Sequence, residues 1–182
     1  MNKTEIKKIF NKNGFAILKN FVPKKIIDEI KRETEKLIKN KLIKNQKRDL
    51  NYLKTGQLSS VHNIVDYMSK YKKFGSNSKL YEIFNEIFGP HQKQWFNSSY
   101  FFKPKKVGIE TKPHQDNAFF NLNPCDAFTA WIPTDSVTKK NSALYYYAGS
   151  QKEGQLAHDP HGNLGASMCV SKKIIDKIKK RY

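Results

Sequence analysis

The residues with the clearest chemical potential are His114 and Asp116, in the run Lys112-Pro113-His114-Gln115-Asp116-Asn117. In an extended chain, side chains two residues apart point to the same side of the backbone. His114 and Asp116 are therefore expected to project together, with Gln115 turned away. One imidazole nitrogen and one carboxylate oxygen are two of the three ligands in a 2-His-1-carboxylate centre, which leaves open positions on iron(II). The spacing alone is weak: five histidines and eight aspartates in 182 residues give about 0.2 chance His-x-Asp matches. On their own the two residues read better as a surface histidine beside a turn aspartate, and it is the surroundings that change this reading.

Those elements change in character along the chain. Thr4 to Lys12 predicts a short helix with Ile6, Ile9 and Phe10 on one face and Gly14 as its stop. Phe15 to Leu18 reads as a short strand, and Pro23 suits the first turn of a longer helix that carries Ile26, Ile27, Ile30, Leu37 and Ile38. Lys44 to Lys73 is polar and fits either a substrate-side loop or an irregular helix. Ser78 to Phe88 predicts an amphipathic helix ended by Gly89-Pro90. Beyond Pro90 the expected elements are strands at Trp95 to Lys103, Phe128 to Ile132 and Ala143 to Ala148, separated by turn clusters. A closing helix is expected over Ser171 to Tyr182, capped by Ser171, with Ile174, Ile175 and Ile178 on its apolar side. Helices first and strands later give an α+β layout, read as one domain over residues 1–182.

Composition limits the alternatives. Lys and Arg number 34 against 16 Asp and Glu, a formal net charge of +18. Such a charge attracts nucleic acid, anionic membranes or phosphorylated ligands. Here it is spread along the chain and accompanied by abundant Asn and Ile, which reads as coding bias. Nucleic-acid binding therefore ranks last, because no zinc-finger or RNA-recognition consensus supports it. Cys125 and Cys169 form neither a disulfide framework nor a zinc motif, which suits a reducing cytoplasm. The first ten residues lack the apolar centre of a signal peptide, and no apolar run reaches membrane-spanning length.

Several segments in order resemble the phytanoyl-CoA dioxygenase family. Asn13-Gly14-Phe15-Ala16-Ile17-Leu18 followed by Phe21-Val22-Pro23 is similar to that family's opening strand and first helix. Phe101-Phe102-Lys103-Pro104 resembles the strand before its iron motif, and His114-Gln115-Asp116 its His-x-Asp ligands. Ala130-Trp131-Ile132-Pro133-Thr134-Asp135, Asn141-Ser142-Ala143-Leu144, and Gly149-Ser150-Gln151-Lys152 with Gly154 and His158-Asp159 resemble later family segments. The resemblance implies a double-stranded β-helix, the cupin-like jelly roll, behind N-terminal helices. It also implies an enzyme in which oxidative decarboxylation of 2-oxoglutarate drives hydroxylation of a C–H bond at Fe(II).

By the same resemblance His114 and Asp116 are the metal ligands, and Trp131 and Ser99 are cosubstrate-pocket candidates. Trp131 reads equally as a core aromatic. Ser99, which shares a strand face with Asn97 and Phe101, also reads as a bland inward residue. Lys103 is a candidate anion contact or a solvated strand-end lysine. The implied substrate is a small molecule, an acyl-CoA or another metabolite, and Lys103, Lys105, Lys106 and Lys112 are either its anion contacts or a solvated loop.

The family also needs a second histidine ligand and an arginine for the far carboxylate of 2-oxoglutarate. His158 and His161 are weak stand-ins for that histidine, and after His161 the only arginine is Arg181, in a Lys-rich helix. The Gly162 to Ala166 stretch reads as a surface loop. The expectation is a chain cut short at its C-terminal end relative to the family, its jelly roll incomplete and its iron binding weak or absent. A non-catalytic jelly-roll binding module is the alternative.

Overall fold

The computed structural model describes residues 1–68, 78–90, 97–160 and 168–182. Trp95, His161, the Gly162 to Ala166 stretch and the end of the Lys44 to Lys73 segment lie outside the described residues.

Helix α1 (Lys3–Asn13) begins and ends on strong local signals. The Asn2 side chain accepts the Glu5 N–H at 2.9 Å, and the Glu5 carboxylate accepts the Asn2 N–H at 2.9 Å, closing a reciprocal cap. Gly14 leaves the helix at φ +80°, a conformation that costs a side chain-bearing residue, and its N–H donates to the Phe10 carbonyl. Two more of the helix's terminal carbonyls are taken from far along the chain. The Gly149 N–H donates to Asn13 O at 2.9 Å, and Gln151 Nε2 donates to Asn11 O at 2.8 Å. Helix α1 packs against α4 (Ser78–Phe88), with Phe10 edge-on to Phe88 at 6.2 Å.

Helix α2 (Lys24–Lys39) follows Pro23, which sits just before the first turn rather than inside it. Its face carrying Ile26, Ile30, Leu37 and Ile38 covers a core of Ile43, Val61, Ile64 and Met68. Thr34 is fully buried in that helix, and its hydroxyl is satisfied by Ile30 O at 2.8 Å.

The polar segment after Lys44 contains regular structure that its sequence pattern hides. Helix α3 (Gln46–Asp49) leads into β1 (Leu50–Tyr52), which turns back through Gly56 (φ +80°) into β2 (Leu58–His62). A short 3-10 turn, Ile64–Tyr67, follows. Strand β2 is central and antiparallel to both β1 and β3 (Ser99–Phe101), with Val61 opposite Tyr100 and His62 opposite Ser99. Val61, Tyr100 and Phe102 pack toward the α2 core. Ser60 and His62 alternate with Val61, and the His62 ring bridges the hydroxyls of Ser60 (3.1 Å) and Ser99 (2.8 Å). Burial holds this imidazole below its ordinary pKa, against the pull of the Asp49 charge.

Asp49 ties helix, hairpin and turn together. Its side chain is fully buried and accepts from Arg48 Nε (2.6 Å), Arg48 Nη2 (2.8 Å), Asn63 Nδ2 (2.9 Å) and the Tyr67 hydroxyl. The Arg48 guanidinium, helped by the Tyr67 and Asn63 bonds, outweighs desolvation and holds the carboxyl far below the usual range.

A second, two-stranded ribbon pairs β4 (His158–Asp159) with β5 (Cys169–Val170), His158 opposite Val170. Helix α6 (Lys172–Arg181) follows Ser171, which occupies the cap position without a side-chain cap bond, and buries Ile175 and Ile178. Between the two sheets lies α5 (Asn117–Phe120), a single turn.

The expected strands at Phe15 to Leu18, Phe128 to Ile132 and Ala143 to Ala148 are not strands, and among the described residues no sheet closes. A run of apolar residues becomes a strand only when a neighbour takes its backbone N–H and C=O groups. Among the described residues those runs have no such neighbour, and Leu144, Tyr145 and Tyr146 are exposed. The architecture is mixed helix and strand, with short sheets rather than a visible roll.

Replacing Asp49 with Asn should cost about 2–4 kcal/mol, because it leaves Arg48 and Tyr67 facing a neutral group in a buried site. Chemical denaturation measures it. The wild-type chain should also lose stability in acid. A depressed carboxylate pKa contributes fully above the ordinary value of about 3.9 and is lost as the pH falls below it. The D49N variant should show a shallower acid loss than wild type.

Candidate metal centre

His114 and Asp116 converge, though not on a strand as the spacing suggested. Asp116 has helical backbone angles (φ −57°, ψ −32°) and sits at the head of α5, so the pair occupies a turn entering a helix. The turn brings His114 Nε2 within 3.5 Å of Asp116 Oδ1.

The partners of each ligand atom fix how the pair presents itself. His114 Nδ1 lies 2.8 Å from Lys112 O, and a carbonyl only accepts, so Nδ1 carries the proton and donates it. Nε2 is then the atom turned toward the carboxylate. Thr129 donates its hydroxyl to Asp116 Oδ2 at 2.5 Å, leaving Oδ1 on the His114 side. Phe119 packs edge-on against the imidazole at 5.7 Å. Tyr146, stacked on Phe15 at 4.9 Å, stands near enough for the Asp116 charge to add to burial in raising its phenol pKa.

A neutral Nε2 and a carboxylate oxygen facing each other are two acceptors that repel. A proton on Nε2 relieves this. The nearby Asp116 carboxylate raises the His114 pKa against desolvation, and His114, helped by Thr129, lowers that of Asp116. A divalent cation relieves it as well, and the donor set of one imidazole and one carboxylate suits iron(II). Among the described residues no group of three His, Cys, Asp or Glu side chains converges.

The turn is held by Gln115, whose side chain is engaged by other parts of the chain. Gln115 Nε2 donates to Gly154 O at 2.8 Å, and Gln115 Oε1 accepts the Leu156 N–H at 2.8 Å. Its own N–H donates to His158 Nε2 at 2.8 Å, while His158 Nδ1 donates to Leu156 O at 2.9 Å. The Val170 N–H, opposite His158 on the ribbon, donates to Pro113 O at 2.9 Å.

The remaining candidates are placed elsewhere or differently. Ser99 Oγ is engaged by His62 Nδ1 on the first sheet. Trp131 is 44% exposed, two residues past Thr129. Lys103 donates to Ile109 O at 2.7 Å and closes its own loop. Arg181 pairs with Glu153 at 2.8 Å. Both nitrogens of His158 are committed, so it is not a free ligand. Thr129, the backbone role of Gln115 and the acceptor role of His158 are not legible in the sequence. The one signal available for them is the His158-Asp159 pair that trails the Gly149-Ser150 turn.

Replacing Gln115 with Ala removes both side-chain bonds to Gly154 and Leu156 and should cost about 1–3 kcal/mol in chemical denaturation. A Q115A chain as stable as wild type would mean that the bracket contributes nothing.

The chain is similar to a phytanoyl-CoA dioxygenase domain-containing protein 1 homolog of Caenorhabditis briggsae, 36% identical over 84 residues, covering 46% of this chain and 29% of that protein. The homolog of the same name from Dictyostelium discoideum is 27% identical over 123 residues, 66% of this chain and 42% of the relative. The human protein named peroxisomal phytanoyl-CoA dioxygenase is 25% identical over 170 residues, 85% of this chain and 49% of its own length. The chain thus spans less than half the length of these relatives. No solved structure matches it. The family model described as phytanoyl-CoA dioxygenase (PhyH) matches residues 10–168, and the chain belongs to that family.

Proposed function

We propose that the Pro113 to Asp116 turn supplies two ligands of the iron centre of an Fe(II)- and 2-oxoglutarate-dependent hydroxylase of the phytanoyl-CoA dioxygenase type, built on a double-stranded β-helix. The observation that carries this reading is the 3.5 Å approach of His114 Nε2 to Asp116 Oδ1, with Nδ1 committed to Lys112 O. A histidine metal ligand characteristically donates its other ring nitrogen to a carbonyl or carboxylate, which fixes the ring and sharpens the ligating lone pair. Family membership supplies the remainder of the reading.

Iron(II), when bound, couples the decarboxylation of 2-oxoglutarate to succinate with hydroxylation of a C–H bond by dioxygen. This chain's own residues prepare the place. Lys112 O holds the His114 tautomer, Thr129 holds the rotation of the Asp116 carboxylate, and Phe119 lies against the imidazole and limits water there. The substrate class the family supports is a small molecule. No helix among the described residues is long and apolar enough to cross a membrane.

Manganese(II), a redox-inert stand-in for iron(II), tests the site by paramagnetic broadening in NMR spectra of the chain. Broadening is expected to centre on His114 and Asp116 and to vanish in D116A. Replacing Thr129 with Val should weaken binding about 10-fold, the usual cost of losing a bond that orients a ligand. Broadening spread over other carboxylates, or none at millimolar metal, would sink the proposal. Succinate release dependent on both iron(II) and 2-oxoglutarate separates an enzyme from a non-catalytic binding module.

A further inference from the structure

We propose that His158 is a positioning residue for the His114–Asp116 pair, holding through its Nε2 the backbone N–H of the residue between them. The proposal rests on the metal-centre reading above.

The geometry defines the role. The partner of His158 Nδ1 is the Leu156 carbonyl, which only accepts, and the partner of Nε2 is the Gln115 N–H, which only donates. His158 is therefore held as the Nδ1-protonated neutral tautomer, with its free lone pair spent on Gln115. That N–H belongs to the peptide linking His114 to Gln115, so fixing it fixes where the backbone turns between the two side chains. His158 itself lies on β4, directly opposite Val170 of β5, and Val170 donates to Pro113 O. The β4–β5 ribbon thus grips the turn at two backbone atoms, a carbonyl before His114 and an amide after it. The Gln115 side chain adds two more bonds, to Gly154 O and the Leu156 N–H just ahead of β4. A backbone held at these points leaves His114 and Asp116 only their side-chain torsions, and Lys112 O and Thr129 restrain those.

The size of the imidazole matters. Only an acceptor at the reach of Nε2 meets the Gln115 amide, so the amide oxygen of Gln replaces it and the shorter Asn does not. H158F keeps the ring and removes the acceptor. H158N keeps a polar group at the Nδ1 position alone, and serves as the loss variant should H158F fail to fold.

The test measures amide hydrogen exchange at Gln115 in the metal-free chain, manganese(II) affinity by NMR broadening, and the melting temperature. In H158F and H158N the Gln115 amide should exchange about 10-fold faster than in wild type, or more. Manganese affinity should fall about 10-fold, more than any parallel change in melting temperature accounts for. H158Q should restore both to within about threefold of wild type. A merely structural histidine would lower the melting temperature and leave the affinity of the folded fraction unchanged, which would overturn the proposal. Unchanged Gln115 exchange in H158F and H158N would overturn it too. If wild type binds no manganese, the metal-centre reading fails, and with it the functional part of this proposal; the exchange result then reports on the clamp alone.

Discussion

A lone pair on nitrogen and a charged oxygen do not approach to 3.5 Å without a reason. Two such acceptors repel, and a proton or a cation turns the repulsion into attraction. The arrangement at His114 and Asp116 is organised around that interaction. Lys112 O removes the possibility that the ring turns its other nitrogen to the carboxylate, and Thr129 occupies the oxygen that does not face the ring. What remains is one nitrogen and one oxygen aimed at shared space.

The rest of the molecule divides into a half that supplies stability and a half that supplies placement. The first centres on α2 lying across β2, with the fully buried Val61 and Ile43 at the contact and Asp49 closing its polar end. Burial of apolar area is non-directional and tolerates some slippage. The second half adds directional bonds to its apolar contacts at Val170, Ile175 and Ile178. Around the ligand turn the contacts are amide to imidazole, amide to carbonyl and hydroxyl to carboxylate, each with its own angle and reach. Packing alone would not hold two side chains to the tolerance that metal coordination requires.

Much of the first half is legible in the sequence. Helical spacing of Ile6, Ile9 and Phe10, and of Leu80, Ile83, Phe84 and Ile87, places α1 and α4 within a residue or so at each end, because such helices announce themselves by period and by stop signals such as Gly14 and Gly89. The β1–β2 hairpin is not legible. One face of β2 carries Ser60 and His62, whose polar atoms satisfy each other and Ser99, so the strand lacks the apolar signature usually sought. At the candidate centre the spacing of His114 and Asp116 anticipates their meeting, while the backbone that joins them is a turn and not the extended chain that the spacing suggests. The supporting residues are hidden for a different reason. Gln115 and His158 act on main-chain groups, which every residue possesses, so no residue-type pattern marks the sites they serve.

The finish of α1 has a consequence for the order in which this protein assembles. Its last carbonyls are taken by Gly149 and Gln151, the latter bond joining positions 140 residues apart. Closing so long a loop is entropically expensive and comes late in folding. During synthesis α1 therefore emerges with two of its C-terminal carbonyls open to water, and it gains those two bonds only after Gly149 and Gln151 have been made.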